Sequence, residues 1–164
     1  MPNFDLTNLM MRLNRTETIL DSDGKPYMER YILWGKNSTT NKKYRGSGLY
    51  VQKLIASDKS KDLYDHSWKW GRLILNGEFN EKVRNKNSEI TRSRKVKLLH
   101  LDLLNSSRLA HSIKLIDNKP VWMIFWHGSY RNQWGFWIDN KKVFWREYFG
   151  TNSKKTSRKV KLKF

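Results

Sequence analysis

Cysteine is absent from this 164-residue chain. That excludes a disulfide framework, a cysteine nucleophile and thiolate metal sites, so any metal would have to use His, Asp, Glu or Tyr. It also fits a reducing compartment. No apolar run approaches membrane-spanning length, and the first residues, MPNFDLTNLMMRLNRTETILD, carry acids and Asn where a secretory signal would be apolar. The expectation is a protein of the cytoplasm, or of the host cytoplasm if the chain is viral, with no membrane partner. Also missing are an internal repeat, a Ser-His-Asp arrangement in a recognisable context, a phosphate-cradling glycine loop and a dinucleotide fingerprint; RGSG at 45–48 is only a flexible turn.

Acids are scarce: 15 Asp and Glu stand against 33 Lys and Arg, a net charge of +18. So large an imbalance points to a polyanionic partner, nucleic acid among the candidates. A codon bias toward Lys and Asn in an AT-rich genome would produce the same excess with no binding role. Two segments concentrate the charge. KVRNKNSEITRSRKVK (82–97) carries seven basic residues and one Glu, and TNSKKTSRKVKLKF (151–164) carries six and no acid. Lys82, Arg84, Lys86, Arg92, Arg94 and Lys95 in the first, with Lys154, Lys155, Arg158 and Lys159 in the second, are the candidate phosphate or anion contacts; each run also reads as a solvated loop or a frayed end.

The length suits one domain with a real core: residues 1–150 as the folded unit and 151–164 as a basic tail. LTNLMMRLN (6–14) reads as a short helix, and TETILDSDGKPYMERYILW as a hairpin around DSDG. After a polar loop at 35–48, short strand-like runs follow at 49–56, 70–84, 95–104, 108–116, 121–128, 133–138 and 143–149, with DNKP (117–120) and DNKK (139–142) as turns. Such a series predicts an all-β sandwich or barrel. Its eight Trp, seven Tyr and seven Phe are then mostly core and cross-strand partners.

Two positions break the apolar pattern. Glu81 shares the alternating register of Leu73, Leu75, Phe79 and Val83, and His111 that of Leu109, Ile113 and Leu115. An inward carboxylate needs a cation, a metal or hydrogen-bond donors to receive it. An inward His alone is more often a hydrogen-bonded core residue than a ligand. His66 lies near Glu81 in sequence, and two inward groups of ligand type on separate strands favour a site. His100 reads as a half-exposed strand residue, and His127 as a structural residue at a strand end.

The stretch LYVQKLIASDKSKDLYDHSWKWGRLILNGEFNE, followed by RLAHSIKLIDNKPVWMIFWHGSYRNQWGFW, resembles the cupin-like proteins of bacterial and phage genomes that carry a His-Asp-His-Pro-Trp element. The resemblance spans roughly residues 27 to 149 and implies a single-domain jelly-roll β-barrel, here with the short N-terminal helix. It also implies an Fe, Mn, Ni or Zn ion inside the barrel. By position, the family's ligands fall on His66, Glu81 and His111. Tyr64 stands where the first motif His would be, and Ser112 where an Arg would follow the late His. Tyr64 would then be a weak fourth ligand, or the catalytic group that orients or protonates. The alternative is an empty site with Glu81 paired to an inward cation such as Arg72 or to a Tyr hydroxyl. His66 and Glu81 are an odd number of residues apart, so one uninterrupted strand would place them on opposite faces; a bulge near Gly71 would repair this.

Two functions follow. One is a metal-binding barrel that binds or transforms a small polar or anionic ligand. The other is a non-catalytic scaffold, such as a viral accessory protein, that binds nucleic acid or another polyanion through its basic segments. A homodimer through edge strands stays open.

Overall fold

The computed structural model describes residues 15–21, 23–35, 46–84, 91–148 and 160–161. The helix expected at 6–14 and most of the loop at 35–48 lie outside them. Strand β1 (Thr16–Leu20) turns into β2 (Pro26–Trp34) as anticipated. Asp21 closes that turn, its Oδ1 accepting the backbone N–H groups of Asp23 and Lys25, and Gly24 takes the left-handed conformation. Next come β3 (Gly48–Leu54) and the short β4 (Leu63–Tyr64).

The run at 70–84 is not one strand. It divides into β5 (Trp70–Asn76) and β6 (Phe79–Arg84), which belong to different sheets. Gly77, at φ 85°, makes the corner, and a side chain there would collide with Val121 and the Pro120 carbonyl. The run at 95–104 divides in the same way into β7 (Arg92–Val96) and β8 (Leu101–Asn105). Strands β9 (Ala110–Leu115), β10 (Val121–His127) and β11 (Gly135–Ile138) follow the expected runs, whereas β12 (Lys141–Phe144) begins inside the expected turn DNKK. Asp117, Asn118, Asp139 and Asn140 supply the left-handed turn residues between them. Where the sequence pattern predicts a strand at 143–149, the chain instead makes one helical turn, α1 (Trp145–Tyr148). Finally β13 (Val160–Lys161), inside the basic tail, pairs with β1.

The strands form two sheets, in the order β13-β1-β2-β3-β10-β5-β8 and β12-β11-β4-β9-β6-β7. The described strand pairings are antiparallel, and the sheets face each other around a shared core, the architecture the alternating pattern predicts. Ile19, Leu54, Ile74, Phe79, Val96 and Val121 fill one end. Each such side chain taken from water contributes roughly 1.5–3 kcal/mol. A second cluster joins Ile32, Tyr50, Trp70 and Phe125, of which Trp70 and Phe125 border a space that the core leaves open.

Candidate functional site

Glu81 and His111 occupy neighbouring strands with their side chains on the same inner face. Glu81 is opposite Ile113 and His111 opposite Val83, so the two are diagonal neighbours across β6 and β9. His111 Nδ1 lies 2.6 Å from Glu81 Oε1. The other carboxylate oxygen, Oε2, accepts from Arg72 Nη2 at 2.6 Å and Arg94 Nε at 2.8 Å. Asp102 completes the arrangement, with Arg72 Nε 2.8 Å and Arg94 Nη2 3.2 Å from its Oδ2. Register builds this four-charge ring. Arg94 is opposite Glu81 across β6 and β7, and Arg72 opposite Asp102 across β5 and β8. The two cross-strand pairs, one on each sheet, then clasp each other across the sandwich. His100 Nε2 lies 3.3 Å from Asp102 Oδ1 at the rim of the ring.

Burial alone would raise the Glu81 carboxyl. The His111 hydrogen bond and charge, together with the Arg72 guanidinium, outweigh it and hold the group well below the usual carboxylate range. An ionised carboxylate only accepts, so His111 Nδ1 carries the proton in that bond. The other ring nitrogen, Nε2, lies 2.9 Å from His66 Nε2. One of these two Nε2 atoms donates to the other. Tyr64, opposite His111 across β4 and β9, packs its ring against both imidazoles at 5.0 and 5.7 Å and donates its hydroxyl toward Asp58 Oδ1 at 3.5 Å.

The metal expectation can be tested on these donors. His66, Glu81 and His111 do come together, but Glu81 stands behind His111, with its oxygens given to one imidazole and two guanidinium groups. Among the described residues no group of three His, Asp or Glu side chains is placed to hold an ion. Two imidazoles do not make up the three-ligand set for Fe, Mn, Ni or Zn. The donor set does not fit a resident divalent metal, because the arginines already compensate the inward charge.

The imidazole pair faces a cavity of about 270 Å³ between the sheets. Trp68, Trp70, Phe125 and Trp134 are among its walls, and Arg30 and Gln52 enter it from the opposite sheet. Those two polar residues were not singled out from sequence. Both were legible, since Gln52 falls in one register with Tyr50 and Leu54, and Arg30 with Met28 and Ile32. Asp65, from the same YDHSW motif as His66, has a different task. It accepts from the Gly135 N–H at 2.9 Å and Trp137 Nε1 at 3.3 Å, with Lys142 Nζ at 2.6 Å, and so ties β11 and β12 to the loop carrying His66. Burial pushes its carboxyl up, against the pull of Lys142. His127 is structural: Tyr50 Oη lies 3.0 Å from its Nε2 and Trp68 stacks on its ring.

The basic candidates separate. Lys82, Arg92 and Lys95 are exposed, Lys95 with Glu78 at 2.9 Å. Arg94 is half-buried, its strand register turning it onto Glu81 and Asp102. Arg84 is buried, its guanidinium 5.0 Å above the Trp137 ring. Lys86, Lys154, Lys155, Arg158 and Lys159 lie outside the described residues. No helix among the described residues is long and apolar enough to cross a membrane.

No protein-family model and no curated protein matches the sequence. Among solved structures, the fold is similar to a cupin-2 domain protein from Rhodospirillum rubrum, at 14% identity and TM-score 0.52 over 75% of each chain. It is also similar to hydroxypropylphosphonic acid epoxidase from S. wedmorenis (12% identity, TM-score 0.47) and to Bacillus subtilis oxalate decarboxylase (12%, 0.49). The match covers 68% and 80% of this chain but only 55% and 30% of those two proteins. With the two antiparallel sheets, the first likeness establishes a cupin-type jelly-roll fold.

Proposed function

We propose that the chain is a cupin-fold binding protein whose barrel takes up a small polar or anionic organic ligand without a resident metal. The observation that carries this reading is the His66–His111 pair facing an aromatic-walled cavity with Arg30 and Gln52 across it. Its volume lies just below the ~300–1,000 Å³ usual for small-molecule sites, which sets the scale at a small metabolite. Aromatic faces suit a planar or apolar body, and the polar groups on two sides suit a ligand with acceptors at both ends. Glu81, itself held by Arg72, fixes the His111 ring with Nε2 toward His66, so the pair is organised before any ligand arrives. Tyr64 fixes the ring planes from the side and remains the candidate for proton transfer if the ligand is transformed.

The test is a thermal-shift and calorimetric screen of small aliphatic and aromatic carboxylates, with native mass spectrometry for a co-purified molecule and elemental analysis of protein purified without added metal. Saturable stabilisation that disappears in His66→Ala and Gln52→Leu is expected, with substoichiometric metal. A stoichiometric metal lost in both His66→Ala and His111→Ala would overturn the metal-free reading, and no saturable ligand in any arm would overturn the binding reading.

A second reading, polyanion binding, is supported by the net charge of +18 and the exposed Lys82. It predicts a mobility shift of nucleic acid that weakens steeply with salt and with deletion of residues 151–164.

A further inference from the structure

Strand β8 is the last of its sheet and, among the described residues, pairs with β5 alone. Proteins usually blunt such edges with charge or proline. Here Leu101, Leu103 and Leu104, with Leu98 and Leu99 from the preceding turn, are all exposed, Leu103 at 70% and Leu104 at 63%. The strand's acid, Asp102, is turned inward to Arg72 and Arg94. Leu99 adds an independent sign. It sits at φ 62° in a turn closed by the His100 N–H to the Lys97 carbonyl, a position that favours glycine, with its side chain 71% exposed. A bulky residue held in that conformation and left in water is the kind of local strain that accompanies a contact surface.

The surroundings give the contact its chemistry. Arg92, Lys95, Lys97 and Arg108 are exposed around the leucine strip, and Asp102 is the one acid within residues 91–108. Strand β7 is the outer strand of the facing sheet, and the Arg94–Asp102 pair shows that it runs beside β8. We infer that this edge is a docking strand for an extended peptide segment of a partner protein, in which apolar side chains alternate with carboxylates. The peptide would continue the sheet by main-chain hydrogen bonds, covering the leucines with its apolar side chains and reaching the basic residues with its acids. Leu103 and Leu104 fall at the register shift opposite Gly71 and are both exposed, so a strand laid along the edge would cover the two together. A second copy of this chain would bring its own basic strip against the first.

The experiment uses the full chain and a capped peptide of alternating glutamate and valine, followed by amide and indole NMR shifts. The Trp126 indole is a built-in reporter, because its N–H donates to the Leu103 carbonyl at 3.0 Å. Saturable binding is expected, with shifts concentrated in residues 91–105 and Trp126. It should weaken about tenfold in Arg92→Glu/Lys95→Glu, from the loss of two exposed charge contacts. Leu103→Ser/Leu104→Ser should weaken it as much, and because both side chains are exposed the variant keeps its fold, checked by circular dichroism. Equal binding of a lysine–valine peptide, no saturable binding, or no effect of the leucine substitutions overturns the inference. So does preferential capture by phosphatidylserine vesicles, by a single-stranded oligonucleotide, or in a dimer that Leu103→Ser/Leu104→Ser dissociates.

Discussion

Replacing Glu81 with glutamine keeps the shape of a fully buried side chain and deletes its charge. Arg72, equally buried, would then share Asp102 with Arg94, and the ring would change from two acids and two bases to one acid and two bases. Removing one partner of a buried ion pair typically costs about 3–5 kcal/mol, because the remaining charge stays desolvated. That is a large part of the roughly 5–15 kcal/mol by which domains are stable. For a chain of this length it lowers the melting temperature by about 6–20 °C. Urea and thermal unfolding at neutral pH measure the loss directly. Glu81→Leu combined with Arg72→Met removes both buried charges and leaves Arg94 with Asp102, so it is expected to be more stable than Glu81→Gln alone. The pH dependence gives a second readout. The folded carboxyl titrates below its unfolded value, so its contribution is fully present above about pH 4 and is lost as the pH falls from there. Glu81→Gln should therefore flatten the acid side of the stability profile. A cost below about 1 kcal/mol, or an acid slope identical to the parent's, would refute the argument that the ring holds the two sheets together.

Gly71 lies under the Trp126 indole and against the Leu103 carbonyl. Gly71→Ala should push β8 off the sheet, seen as faster hydrogen exchange in residues 101–105 and a melting point several degrees lower, roughly 1–3 kcal/mol. Asp65→Ala strands Lys142 and the Gly135 N–H, costs about 2–3 kcal/mol and exposes Trp137, read from its fluorescence. Because burial raises the Asp65 carboxyl in the folded state, that group favours folding below its unfolded value and loses the advantage as the pH rises through its folded value. Its contribution thus runs opposite to that of Glu81 over the acid range, and a comparison of Asp65→Asn with the parent across pH 3–7 separates the two.

The two-sheet architecture was legible because alternation and turn chemistry are local. DNKP and DNKK adopt the left-handed turns their residues favour, and the inward positions of Glu81 beside Phe79 and of His111 beside Ile113 follow from the period within β6 and β9, although that register does not run back through Gly77 to Leu73 and Leu75, since Arg72 and Ile74 face the core in β5. Boundaries failed where the chain changes sheet. The corner at Gly77 had a local sign in the Asn76-Gly77 pair that the reading of 70–84 as one strand passed over, and the helical turn at Trp145 follows tertiary contacts, including stacking on Trp134 at 6.0 Å. Inside the basic run, Arg94 shares the parity of the core residue Val96, but its meeting with Glu81 depends on the pairing of β7 with β6, which no local pattern gives.

Sequence alone determined that this chain is a β structure carrying an acid and an imidazole on inward positions, because side-chain direction along a strand depends only on parity. Which group meets Glu81 was decided by the tertiary structure. Arg72 is nine residues away, an odd separation that would place the two on opposite faces of one strand, yet the corner at Gly77 folds their strands into facing sheets and sets them 2.6 Å apart. The same crossing brought Asp102 and Arg94 to the ring and left the two imidazoles to face the cavity. Long-range pairing settles such meetings, and no local pattern encodes it.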